Sequence, residues 1–141
     1  MQATSIKVIF DTNVWISFLI GKRLAVIKDY LISSYITLII TQQLVTEIKN
    51  VTGREKLKKY FPKQSVNELI ELLEAIAITV TITPVYFINK DPKDNFLLDL
   101  IHFSKADYLV TGDKALLEHN PFKTATILTP INFEKVIKQY K

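Results

Sequence analysis

Five short apolar runs punctuate the chain, and each gives way to residues that do not continue a buried strand. They are Ile6–Phe10, Ile36–Ile40, Ile78–Ile82, Tyr108–Val110 and Ala125–Leu128. β-Branched and aromatic residues dominate them, as expected of strands in a sheet interior. Segments with helical periodicity lie between them: Val14–Ser33, Gln42–Val51, Arg54–Tyr60, Ser65–Ile76, Pro92–Ser104, Lys114–His119 and Ile131–Gln139. Parallel strands need crossover connections, and the helices supply them. The alternation predicts a three-layer α/β/α fold with a largely parallel central sheet. The chain has 141 residues and three glycines, with neither a linker nor a repeat, so it reads as one domain over residues 1–141. Ile78–Ile82 is the loosest strand, because "EAIAITVTITPVYFI" allows it several residues later.

Composition removes most chemistries. Cysteine is absent, which excludes disulfides, zinc–thiolate sites and thiol nucleophiles and suits a reducing cytosol. The two histidines are 17 residues apart, without metal-ligand spacing. No G-x-x-x-x-G-K-[ST], G-x-G-x-x-G or G-x-S-x-G motif occurs. Asp11 interrupts any signal-peptide core, and Pro84 breaks the run Ala75–Ile88, which is shorter than the roughly 20 residues a membrane span needs. The expectation is a soluble, cytoplasmic protein whose chemistry rests on carboxylates.

Ligands of open parallel sheets gather at the carboxyl ends of the strands. "IKVIFDTNVWIS" places Asp11, Thr12 and Asn13 at such an end. A helix cap would account for them, and so would one wall of a metal site. "YLVTGDKALL" repeats the pattern with Thr111 and Asp113. In "NKDPKDNFLLDLIHF", Asp91 before Pro92 is a helix start, and Asp94 falls at N3. Asp94 shares a helical face with Leu98 and Ile101 and should lean toward the core, whereas Asp99 aligns with Asn95 and His102 on a wetter face. Asp94 is therefore the site candidate, Asp91 the cap and Asp99 solvated. Glu47, in "TQQLVTEIKN", follows the second strand and draws its claim from the company of the other acids.

Taken together, "VIFDTNV", Glu47, "DPKDNFLLDL" and "LVTGDKALL" resemble a PIN-domain nuclease, more narrowly the PIN-family toxins of bacterial and archaeal toxin–antitoxin pairs. The likeness runs in order from Asp11 to the strand near Leu128. It implies that Asp11, Glu47, Asp94 and Asp113 form an acidic quartet binding Mg²⁺ or Mn²⁺, with Asn13 and Thr111 as polar supports. It also implies endoribonuclease activity leaving a 5′-phosphate and a 3′-hydroxyl, an antitoxin protein partner and a homodimer. The chain departs from the pattern at Ala115, where relatives often carry another acid. The bare chemistry agrees: clustered carboxylates repel one another, and oxygen ligands suit hard divalent cations.

The net charge is +4, and "GREKLKKYFPK" concentrates Arg54, Lys56, Lys58, Lys59 and Lys63 beside Tyr60 and Phe61. Such a patch could hold RNA phosphates or a partner protein, with the aromatics stacking on bases, or be a solvated helix and loop. Three rivals stand against the nuclease reading. A receiver-like signalling domain lacks its second acid before the first helix and its phosphorylatable Asp after the middle strand. A non-catalytic PIN-like module would bind RNA or protein without turnover. A structural protein with well-capped helices would make the acids coincidental.

Overall fold

The computed structural model describes residues 5–21, 28–29 and 35–139. Five parallel strands form the sheet, in the order β3-β2-β1-β4-β5. β1 (Ile6–Phe10), β2 (Ile36–Ile40) and β4 (Tyr108–Val110) occupy the predicted runs residue for residue. β3 is only Ile78–Thr79, and β5 is Thr126–Leu128. β1 takes the centre because Val8, Ile9 and Phe10 are buried throughout, leaving no face for water. Its register pairs Ile6 with Ile36 on one side and Phe10 with Val110 on the other.

The helices lie where the crossovers require them. α1 (Thr12–Ile20) follows β1. The predicted continuation toward Ser33 lies largely outside the described residues. α2 (Gln42–Thr52) turns Leu44, Val45 and Ile48 inward, and α3 (Lys63–Ile76) does the same with Leu69, Ile70 and Leu73. α4 (Asn95–Ser104) is buried from Asn95 to Ile101. The short α5 (Lys114–Leu117) follows β4, and α6 (Pro130–Lys138) closes the fold with Thr129 accepting the Asn132 amide at its start.

Three expectations are corrected. Arg54–Tyr60 is not an α-helix: it forms successive turns ending in a 3₁₀ turn, Lys58–Tyr60. Leu57 alone packs inward there, which gives a helix too little apolar surface to bury. The predicted helix Pro92–Ser104 divides into a 3₁₀ turn, Pro92–Asp94, and α4, so Asp94 caps α4 instead of lying inside it. Asp99 is buried, not solvated, at 3% exposure. Its Oδ1 accepts the amides of Val85 (3.0 Å) and Tyr86 (2.9 Å), and so fastens the extended segment after β3 onto α4.

Phe10 meets Trp15 edge-on at 5.1 Å and Phe133 at 5.5 Å between ring centroids. This aromatic cluster anchors β1 one residue before Asp11, so the carboxylate departs from a fixed point. Leu97, fully buried on α4, backs the same core. Leu97→Ala should lower unfolding free energy by about 2–5 kcal/mol in urea titrations. Ile131→Ala, at a position 70% exposed, should stay within about 0.5 kcal/mol.

Candidate active site

The strand order reverses direction between β1 and β4, which opens a crevice at their carboxyl ends. Asp11 and Asp113 flank that crevice. Asp11 sits one residue past β1, only 4% exposed, with its amide bonded to the Val110 carbonyl at 3.0 Å. Its side chain makes no cap bond to α1. Instead Oδ2 accepts the Thr111 hydroxyl at 2.7 Å. The same Thr111 oxygen accepts the amide of Asp113 at 3.0 Å, so one fully buried hydroxyl joins the two acid-bearing strand ends. Asp113 does cap its helix, accepting the Ala115 amide at 3.0 Å through Oδ1. Its half-buried carboxylate keeps Oδ2 for other work.

Glu47 is no ordinary surface glutamate. α2 holds it half-buried beside the start of α1, where Oε2 accepts the Thr12 hydroxyl at 2.6 Å. Thr12 is thus a support that sequence reasoning passed over, although it stood in plain view within "DTN". Asn13, predicted as a support, has an exposed side chain, and its backbone amide is the part that favours the charged form of Asp11. Asp91 caps the 3₁₀ turn as predicted, accepting the Lys93 amide at 3.3 Å. Asp94 ends that turn half-buried, at the N-cap position of α4 and without a side-chain cap bond.

The electrostatics join the four acids. Burial pushes the Asp11 carboxyl up, the Thr111 hydroxyl and the Asn13 amide oppose this, and Glu47 and Asp113 add to it. For Asp94 burial is again the largest cause, followed by the charges of Asp11, Asp91, Asp113 and Glu47, raising it from 3.8 to about 7. Every charge acting on Asp94 is negative. Among the described residues, however, no three such side chains close into a ready-made metal cage. Glu47 and Asp113 are near enough to oppose the ionisation of Asp11 and Asp94 without the four converging on one point. An all-oxygen donor set with uncompensated negative charge fits a hard divalent cation, which would offset the repulsion. Asp11, Glu47, Asp94 and Asp113 are the residues that would hold it.

Arg54, Lys56, Lys58 and Lys59 are all exposed on the turns after α2. Lys59 lies 5.1 Å from the centroid of the exposed Tyr60 ring, and Lys58 pairs with Glu55 at 3.1 Å. Phe61 is buried, 5% exposed, so it belongs to the core and offers no ring for stacking. Among the described residues, no helix is long and apolar enough to cross a membrane.

Comparison with known proteins bears on the family and the fold. The sequence pattern of the PIN domain family matches residues 7–115. The uncharacterized protein MJ1680 of Methanocaldococcus jannaschii is 33% identical over 126 residues, which cover 83% of this chain and 77% of that protein. Among solved structures, the PIN domain of T. brucei RRP44 superposes with a TM-score of 0.56 over 97% of this chain and 83% of its own. At 12% identity that likeness speaks for the fold alone.

The raised acids set a pH dependence. In metal-free protein, folded Asp94 holds its proton up to about 7, while the unfolded chain releases it near 3.8. Between those values the folded state binds more protons, so stability should fall as pH rises through that window. Urea midpoints in EDTA should be higher at pH 5 than at pH 7.5. Asp94→Asn should remove much of the difference, with Asp11 supplying the remainder; an unchanged slope would place the proton elsewhere.

Proposed function

The chain belongs to the PIN domain family, and from that premise we propose that it is a metal-dependent endoribonuclease. The observation that carries this reading is the Thr111 hydroxyl bridging Asp11 and Asp113 at the switch point of the sheet, with Glu47 close enough to raise the Asp11 carboxyl and Asp11, Asp113 and Glu47 close enough to raise that of Asp94.

The division of labour follows from the contacts. Asp11, held by Thr111, is the fixed wall. Thr12 restrains Glu47 opposite it. Asp113 commits one oxygen to its helix cap, which leaves the other for a cation. Asp94, the acid with the strongest tendency to stay neutral when the site is empty of cations, loses its proton as positive charge arrives. When bound, Mg²⁺ or Mn²⁺ would acidify a water and neutralise charge developing on the phosphate. The products expected are a 5′-phosphate and a 3′-hydroxyl. Arg54, Lys56, Lys58 and Lys59, beside Tyr60, supply phosphate contacts at a distance from the acids in sequence, and the same patch is the candidate contact for a protein partner. Within this reading the protein is the toxin of a toxin–antitoxin pair, cytoplasmic, homodimeric and restrained by an antitoxin protein. The support is the likeness of its motifs to PIN-family toxins.

Two measurements test the proposal. Purified protein should cut a mixed single-stranded RNA pool with Mg²⁺ or Mn²⁺ and not with EDTA. Asp11→Asn should lose roughly a hundredfold or more of that activity at unchanged stability. If the folded protein cuts nothing with either metal, a non-catalytic binding module becomes the better reading. In the second, Lys58→Ala with Lys59→Ala should weaken RNA binding across sequences and flatten its salt dependence by about two charges. An unchanged salt slope would remove the patch from the RNA path.

A further inference from the structure

A buried polar network behind the acids remains unused by the chemistry above. Asn89 and Asn95 are 5% and 8% exposed, yet both side chains are engaged. The Asn89 amide donates to Asn95 Oδ1 at 2.9 Å, which closes the segment from 89 to 95 on itself. Asn89 Nδ2 donates to the Asp91 carbonyl at 2.9 Å inside that loop. Asn89 Oδ1 faces His119 Nε2 at 3.1 Å; Oδ1 can only accept, so the imidazole carries its proton on Nε2. A second tie runs alongside, Lys90 to Glu118 at 3.3 Å, although its exposure makes it weak. These contacts join the segment bearing Asp94 to the segment that follows Asp113.

We infer that Asn89, Asn95 and His119 are positioning residues that hold the Asp94 turn against the repulsion of the neighbouring acids. This inference rests on the metal-centre reading above. Asp94 immediately precedes Asn95, and four negative groups push on it. A free loop would relieve that repulsion by swinging the carboxylate outward. The closed loop opposes the swing, and the two asparagines fasten it without adding a further charge. His119 supplies the cross-brace: it comes from just beyond α5, whose cap is Asp113, so the Asn89–His119 bond ties the segment carrying one acid to the segment that follows the other.

The test compares wild type with Asn95→Ala, His119→Ala and His119→Gln, in which the amide can still donate to Asn89. Mn²⁺ affinity is read by electron paramagnetic resonance, and amide exchange at Asn89, Lys93 and Asp94 by NMR in metal-free protein. The two alanine variants should exchange faster at these amides and bind Mn²⁺ roughly ten- to a hundredfold more weakly, with His119→Gln near wild type. Unchanged exchange, or faster exchange with wild-type Mn²⁺ affinity, would overturn the inference while leaving the metal centre standing. Wild type that binds no Mn²⁺ would overturn the metal reading itself and this role with it. If Asn95→Ala does not fold, the histidine pair decides the matter alone.

Discussion

The hydroxyl of Thr111 holds the carboxyl ends of the two central strands together. It donates to Asp11, 100 positions earlier in the chain, and accepts from the backbone of Asp113. A hydroxyl is one of the few small groups that can do both at once. Because Thr111 is fully buried, water cannot take over either bond. The carboxylate that burial would otherwise neutralise thus keeps its larger charge-favouring contact, the Asn13 amide adding a smaller one. The β1–β4 pairing beneath, with Phe10 locked among aromatic rings, gives the bond its geometry.

Around that bond, packing and charge oppose each other. The sheet brings acids from four separate segments to one edge, and their mutual repulsion works against the core that gathers them. Each acid has a different restraint: a hydroxyl for Asp11, another for Glu47, a helix cap for Asp113 and a closed loop for Asp94. None of these restraints is a cation. Neutral hydrogen bonds fix direction while leaving the negative charge uncancelled, which is the condition under which a divalent ion gains most by arriving.

The central strands were legible because a strand covered on both faces needs only apolar residues, and β1, β2 and β4 therefore declare themselves. The extent of β3 did not, because its Thr–Ile alternation says little about where pairing stops, and both residues of the strand are exposed. The site acids Asp11 and Asp113 could be read from their place after strands. Asp99 could not: its partners are backbone amides of a loop, and backbone amides carry no signature in sequence. The division of the helix at Asp94 escaped the sequence pattern for a related reason. Periodicity assumes one helical repeat, and the 3₁₀ turn after Asp91 changes the angle at which the next residue leaves. Thr12 and the network of Asn89, Asn95 and His119 lay hidden in residue types common at any helix start or loop.

Placing the oldest-made strand at the centre of the sheet has a consequence for synthesis. β1 is made first, yet one of its edges stays bare until β4 arrives about 100 residues later. A growing chain already carries Asp11, Glu47 and Asp94 while it still lacks the threonine and the fourth acid. The full set of acids therefore does not exist on a chain that has not yet reached β4 and Asp113, whatever its first two-thirds have folded into. A strand edge rich in Val, Ile and Phe must meanwhile be kept from pairing with the wrong neighbour. Pairing of β4 with β1 both ends that hazard and brings the threonine and the fourth acid to the other three.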